Sequence, residues 1–398
     1  MSIATSSPGL NILVVGPSWV GDMVMAQSLF MVLKRLHPDC SIDVLAPSWS
    51  RPLLAAMPEV RASLDMPVGH GSLEWSTRRD IAETLRGLYD WAIVLPNSLK
   101  SALIPWMARI PRRTGWRGEM RYGLLNDLRR LDEKALPLMV QRFVALAYDK
   151  GQEKVSDVPH PALHLDPSRV AEIATRFGVG AGQANRTAAV AGGGVGEADG
   201  SQPLPAGEQA SSTPRSIDWS SATARVMLEA RADKRSKVLG LCPGAEFGLA
   251  KQWPEAHYAA LARAHLAAGG EVWLFGSAKD RTVTQAITAR LDEGYERVKD
   301  LAGQTSLEEA VALLSLTHQV VSNDSGLMHV AAALRRPLVA VYGSTSPEFT
   351  PPLGDKARIV RTGISCSPCF KRECPYGHYQ CLRDLPPRMV IDALKDLS

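Results

Sequence analysis

The sequence predicts an α/β protein built from two Rossmann-like domains facing each other across a cleft, and three stretches carry that expectation. Residues 11–15 (N-I-L-V-V) form a β-branched apolar run that passes through a glycine-containing turn into a helical pattern. Residues 238–241 do the same through the turn 242–248. Residues 319–347 hold a complete unit: an apolar strand, the polar turn Asp324-Ser325-Gly326, a helix closing at Arg335-Arg336-Pro337, and a second apolar strand. In open sheets of this kind ligands settle where strand ends meet helix starts.

Bulk composition narrows the function classes. A chain of 398 residues is long for one core and suggests two domains. Its 45% apolar and 22% charged content are ordinary for a soluble globular protein. A formal net charge of +4 gives no reason to expect nucleic acid, so any basic patch must be argued locally. Residues 1–9 lack a basic segment followed by an apolar core, which argues against a secretory signal. The longest apolar stretch, 12–33, is interrupted by Gly16, Pro17, Gly21 and Asp22, so no membrane span is expected. The reading is a cytoplasmic protein, with room for peripheral contact at a membrane face.

Taken in order, strand 11–15 leads through Gly16-Pro17-Ser18-Trp19-Val20-Gly21-Asp22 to a helix over 23–36 that stops at His37-Pro38. The turn is G-x-x-x-x-G without the following Lys-Ser/Thr, which excludes a P-loop, and it is not G-x-G-x-x-G, so a dinucleotide fingerprint is absent. Asp22 stands at the helix start, either as a dipole-favoured acid of the first turn or as a carboxylate able to act as general base. A strand is expected over 41–45, helices over 51–57 and 76–88, a strand over 91–95 closed by Pro96-Asn97-Ser98, and helices over 101–110 and 138–148. Alternation of this kind argues for a parallel sheet covered on both faces. The stretch 111–126 joins Arg112, Arg113, Arg117 and Arg121 to Trp116, Tyr122 and two glycines, with Lys100 upstream. Arginine forks suit phosphate and carboxylate oxygens, so this basic loop is either a site for an anionic partner or a solvated face.

From 179 to about 213 small residues, glycine and proline follow without periodicity, as in a connector or insertion. The expected division is a first domain over 1–178, a linker over 179–236 and a second domain over 237–398. In the second domain a strand over 238–241 precedes Lys251, a helix is expected over 255–268, and a strand over 271–275 leads to Asp280. A helix over 307–316 then precedes the 319–347 unit. There the helix start favours an anion. Asp324 can accept a hydroxyl or cap the helix, Gly326 allows close approach to the backbone, and His329 points back to the same end.

Cys40 and Cys242 read as small buried apolar residues. Cys366, Cys369, Cys374 and Cys381 cluster around His378 with spacing that suits a structural zinc. Free or redox-labile thiols and disulfides remain the alternatives.

Several long motifs point to a family. The segments I-L-V-V-G-P-S-W-V-G-D-M-V-M-A-Q-S-L, L-P-N-S-L-K-S-A-L, R-R-T-G-W-R-G-E-M-R-Y-G-L-L-N-D, C-P-G-A-E-F-G-L-A-K-Q-W-P and S-N-D-S-G-L-M-H-V-A-A-A-L resemble the ADP-heptose:lipopolysaccharide heptosyltransferases. The resemblance implies the GT-B fold and transfer of heptose, with inversion, from ADP-L-glycero-β-D-manno-heptose to the inner core of lipopolysaccharide. It implies no metal in catalysis. It carries the catalytic base to Asp22, the diphosphate contact to Lys251, and the D-x-G-x-x-H donor motif to Asp324, Ser325, Gly326 and His329. An adenosine-contacting acid falls near Asp280. Glu246-Phe247 stands where the wider family has Thr-Thr. Within the family the R-T-G-W-R-G-E-M-R block favours members that extend an already mono-heptosylated Kdo₂-lipid A. Lys100, Arg112, Arg113, Arg117 and Arg121 are then the expected acceptor contacts. Other heptosyltransferases of the family, a nucleotide-dependent oxidoreductase and a non-catalytic nucleotide-sugar sensor are the competing readings.

Overall fold

Two six-stranded, all-parallel sheets organise the chain. Their strands are β1 (Asn11–Val15), β2 (Ser41–Ala46), β3 (Val60–Asp65), β4 (Trp91–Val94), β5 (Arg112–Trp116) and β6 (Asp127–Arg129) in the first. In the second they are β7 (Val238–Cys242), β8 (Glu271–Leu274), β9 (Val298–Asp300), β10 (Gln319–Asn323), β11 (Leu338–Val341) and β12 (Ala357–Val360). This computed structural model describes residues 9–69, 72–153, 155–179, 237–291 and 294–397. Apart from Val179, the expected linker 179–236 lies outside the described residues. Residues 9–166 and 237–397 belong to one compact unit.

The strands form because their residues are buried on both faces. Ile12 to Val15, all of β4 and all of β10 and β11 are covered, as parallel sheets flanked by helices require. The first sheet runs β3-β2-β1-β4-β5-β6 and the second β12-β11-β10-β7-β8-β9, so each carries the same order. In each, the order reverses beside the first strand, between β1 and β4 and between β7 and β10. Those two points, at the carboxyl ends of the strands, are where this architecture holds ligands.

The helices are α1 (Val20–Leu36), α2 (Arg51–Ala55), α3 (Trp75–Leu85), α4 (Leu103–Met107), α5 (Met139–Val144), α6 (Pro167–Arg176), α7 (Glu255–Ala267), α8 (Arg281–Thr288), α9 (Leu307–Leu314), α10 (Gly326–Ala333), α11 (Gln380–Arg383) and α12 (Pro387–Lys395). α6 belongs to a second unit and buries Ile173 and Ala174. Among the described residues no helix is long and apolar enough to cross a membrane.

α1 buries every residue from Met23 to Phe30. Its two polar members are satisfied there: Gln27 exchanges bonds with the backbone of Ala162 (2.8 and 2.9 Å), and Ser28 Oγ donates to Pro159 O (2.6 Å). Leu163 N in turn donates to Ala333 O at the end of α10 (3.1 Å), so the segment after the first sheet ties α1 to the second half. The second core gathers Leu239, Trp253, Tyr258, Val272, Val321 and Val339 with Leu382, Leu385 and Val390 from the C-terminal segment.

Five strands escape the apolar pattern: β3, β5, β6, β9 and β12. β5 lies in the stretch expected as a basic loop, and it is an interior strand held by polar groups. Trp91 Nε1 donates to Thr114 Oγ1 (2.7 Å), which donates to Asp127 Oδ2 (2.8 Å), which also accepts from Arg129 (2.8 Å). Burial pushes the Asp127 carboxyl up, but the Arg129 and Thr114 bonds outweigh it and hold the group below its ordinary value.

Candidate active site

The site is assembled where α1 and α10 begin. Val20 and Gly21 open α1, and the backbone there has no room for a side chain: a Cβ on Gly21 would stand 2.6 Å from His329 Cδ2. A Cβ on Gly326, the first residue of α10, would stand 2.7 Å from Val20 Cβ. Glycine at both positions is what lets the two helix starts meet. Neither helix has a side-chain N-cap, so two sets of free N–H groups and two positive dipole ends face one region.

Asp22 lies in the first turn of α1. Burial pushes its carboxyl up to about 6, against a downward pull from Lys251 and with a further push from the Asp324 charge. The carboxylate is thus poised near neutrality, as a proton acceptor requires. The Lys251 ammonium sits 2.7 Å from Asp324 Oδ2, with side chains only 15% and 4% exposed. Thr345 Oγ1 donates to the same oxygen (2.5 Å). Asp324 is therefore not the helix cap; Ser325 occupies that position, and its hydroxyl lies 3.2 Å from Ser322 Oγ. His329, 5% exposed, has its imidazole held down to about 4, first by burial and then by Lys251, against the pull of Asp324. It stays neutral across the physiological range and packs as a wedge beneath Gly21.

Behind this group Asn323 joins β10 to the β7 turn. Its Oδ1 accepts from Trp253 N (3.2 Å) and Tyr258 OH (3.0 Å), and its Nδ2 donates to Pro243 O (2.7 Å). Asp280 stands by the same turn, against Gly244 and Gly276, and its Oδ2 accepts from Ser277 N (2.8 Å) and Oγ (2.7 Å). It is at the ligand end of the sheet, though one oxygen is occupied in capping. The Phe247 ring lies 4.9 Å from Lys251 Nζ. Thr345 is the site residue that the sequence reading misses; the hydroxyl run Ser344-Thr345-Ser346, two residues past the apolar strand β11, is the available signal for it.

The basic cluster divides between fold contacts and surface. Arg121 is fully buried and donates to Trp116 O and Pro96 O (2.6 Å), with Ser101 Oγ at 3.2 Å. Arg113 donates to Leu124 O (2.8 Å) and Ile110 O (2.5 Å). Arg112 heads β5, at the amino end of the sheet, where it pairs with Asp149 (2.8 Å) and lies over the Trp91 ring (4.1 Å). Those three guanidinium groups spend their hydrogen bonds and ion pairs within the fold. Arg117 is exposed just past β5, and Lys100 is half-buried in the turn after β4, both beyond the carboxyl ends of their strands.

Cys366, Cys369, Cys374 and Cys381 are free thiols that line one small cavity with Tyr376 and His378. The donor set suits a soft metal. Yet among the described residues no three His, Cys, Asp or Glu side chains are arranged to hold an ion, so the zinc expectation finds no support in the geometry.

Two parallel α/β domains whose ligand ends converge on a carboxylate and a cation define the GT-B class of glycosyltransferase. The model of Glycosyltransferase family 9 (heptosyltransferase) matches residues 78–193 and 202–380. The chain is 46% identical to lipopolysaccharide heptosyltransferase 2 of Salmonella typhimurium over 391 residues, covering 98% of each. It is 45% identical to lipooligosaccharide heptosyltransferase 2 of Haemophilus influenzae, covering 98% of this chain and 99% of the relative. Among solved structures it is similar to ADP-heptose lps heptosyltransferase II of E. coli, with a TM-score of 0.76, 42% identity and 98% of each chain covered. The chain belongs to glycosyltransferase family 9, the heptosyltransferases, and is a glycosyltransferase of GT-B fold.

Proposed function

We propose that the protein transfers L-glycero-D-manno-heptose from ADP-L-glycero-β-D-manno-heptose onto the first heptose of heptosyl-Kdo₂-lipid A. The observation that carries this reading is the meeting of Asp22 with the Lys251–Asp324 pair where α1 and α10 begin. The acceptor hydroxyl attacks the anomeric carbon, the bond to the donor phosphate breaks, and ADP leaves with the electron pair. Asp22 takes the hydroxyl proton. Lys251 and the uncapped start of α10 receive the negative charge that grows on the departing diphosphate. His329, being neutral, serves as packing and hydrogen-bonding surface rather than as an acid. No step needs a metal ion.

Lys100 and Arg117 are the basic residues left for the anionic acceptor, beyond the carboxyl ends of β4 and β5. An acceptor with a lipid end implies work in the cytoplasm with transient contact at the inner membrane face. The test is an assay of purified protein with the ADP-heptose donor and two acceptors, Kdo₂-lipid A and its mono-heptosylated form. Transfer to the mono-heptosylated acceptor is expected; transfer only to the unheptosylated one would overturn the assignment.

A further inference from the structure

We infer that Arg372, in the loop between Cys369 and Cys374, is a second cation of the diphosphate site, delivered there by the thiol-rich segment and seated on Phe247. This rests on the reading of the Lys251 turn as the donor grip. The loop is bound to that turn by its backbone: Ala250 N donates to Arg372 O (3.0 Å), and Gly248, at φ +150°, packs against the same carbonyl where any Cβ would clash. It is bound equally to the segment that supplies Thr345. Cys369 N and Phe370 N both donate to Ser344 O (3.1 and 2.7 Å), Ser344 N donates to Ala250 O (3.2 Å), and Ser367 Oγ donates to Gly343 O (2.6 Å). The segment is in turn rooted in the second core through Leu382 and Leu385, the latter accepting from Trp253 Nε1 (2.9 Å).

This scaffold brings two cations to one aromatic ring. Lys251 Nζ is 4.9 Å and Arg372 Cζ 5.5 Å from the Phe247 centroid, both within cation–π range. Of the two charges, only that of Arg372 lacks a local ion pair among the described residues. Asp324 neutralises Lys251, and Glu246 is taken by Lys279 (2.6 Å). Arg372 makes no ion pair among the described residues, nor does the adjacent Glu373. An unpaired guanidinium beside a buried ammonium–carboxylate pair suits a polyanion, and its fork matches phosphate oxygens. The Phe247 ring thus serves as one platform for both cations.

The test measures adenosine, AMP and ADP binding calorimetrically to the wild type and to Arg372→Ala, Arg372→Lys and Lys251→Ala. For Arg372→Ala we expect ADP affinity to fall about ten- to a hundredfold, the scale of one or two charge-assisted bonds, with adenosine unchanged and Arg372→Lys in between. If Arg372→Ala binds ADP as the wild type does while Lys251→Ala does not, the inference fails and the donor reading stands. Equal losses for adenosine and ADP would mark a merely structural role and also overturn it. No ADP binding by the wild type would remove both.

Discussion

At the scale of single residues, the protonation of Asp22 sets the chemistry of the proposed mechanism and has a cost in stability. Asp22→Asn should lower turnover by roughly 10²–10⁴-fold, the range for loss of a general base, while leaving ADP affinity in place. In the wild type kcat/KM should fall as pH drops below about 6, and that limb should vanish in the variant. The folded chain holds the Asp22 proton up to about 6, whereas a free aspartate releases it near about 4. Folding is therefore fully penalised above about pH 6, and the penalty fades as pH falls from about 6 to about 4, below which both states are protonated. Asp22→Asn should accordingly raise Tm at pH 8 and leave it unchanged at pH 4; an equal rise at both would refute the burial account. Gly21 offers a second residue-scale test. Gly21→Ala drives a methyl into the His329 ring and should depress both turnover and Tm. Adding His329→Ala should restore Tm but not turnover.

At the scale of elements, the polar ladder across β4, β5 and β6 separates what the sequence displays from what it hides. β1, α1, β7, β10 and α10 are legible because burial on both faces or helical spacing leaves an apolar imprint; Asp22 and Asp324 sit at their ends, and Lys251 in the connection after β7. β5 is not: Arg112-Arg113-Thr114 reads as a basic loop, yet Thr114 is buried and bridges Trp91 to Asp127. A guanidinium that satisfies backbone carbonyls looks, in one dimension, like one waiting for a phosphate. Arg121 and Arg117 make the distinction measurable. Arg121→Ala abandons several buried carbonyl groups and should cost about 3–5 kcal/mol of stability, seen as a lower denaturant midpoint. Arg117→Ala should leave that midpoint within about 0.5 kcal/mol and raise KM for the acceptor. If both variants behave alike, the division of the cluster is wrong. The thiol segment is hidden in the same way: its cysteine spacing reads as metal-binding, while its backbone bonds to Ala250 and Ser344 are the contacts that reach the site.

At the scale of the whole molecule, one strand order is used twice, and under the proposed mechanism the two switch points supply different halves of one reaction. In that mechanism the first half contributes Asp22 as proton acceptor; the second contributes Lys251, Asp324 and Thr345. Because Gly21 rests on His329 and Leu163 bonds to Ala333, a ligand gripped by the second half should stabilise more than the sheet it touches. At a free ADP concentration about 100 times Kd, linkage supplies about 2.7 kcal/mol to the folded state. We expect Tm to rise by several degrees, with the fluorescence of Trp91 in the first half and of Trp253 and Trp273 in the second shifting together. Keeping Trp91 while replacing the other tryptophans by phenylalanine, and the converse, lets each half report alone. Lys251→Ala should abolish the shift, and Asp22→Asn should keep it, since the base meets the acceptor and not the diphosphate. A shift confined to the second-half reporters would mean that the helix starts part on melting and that donor binding does not brace the domain carrying Asp22.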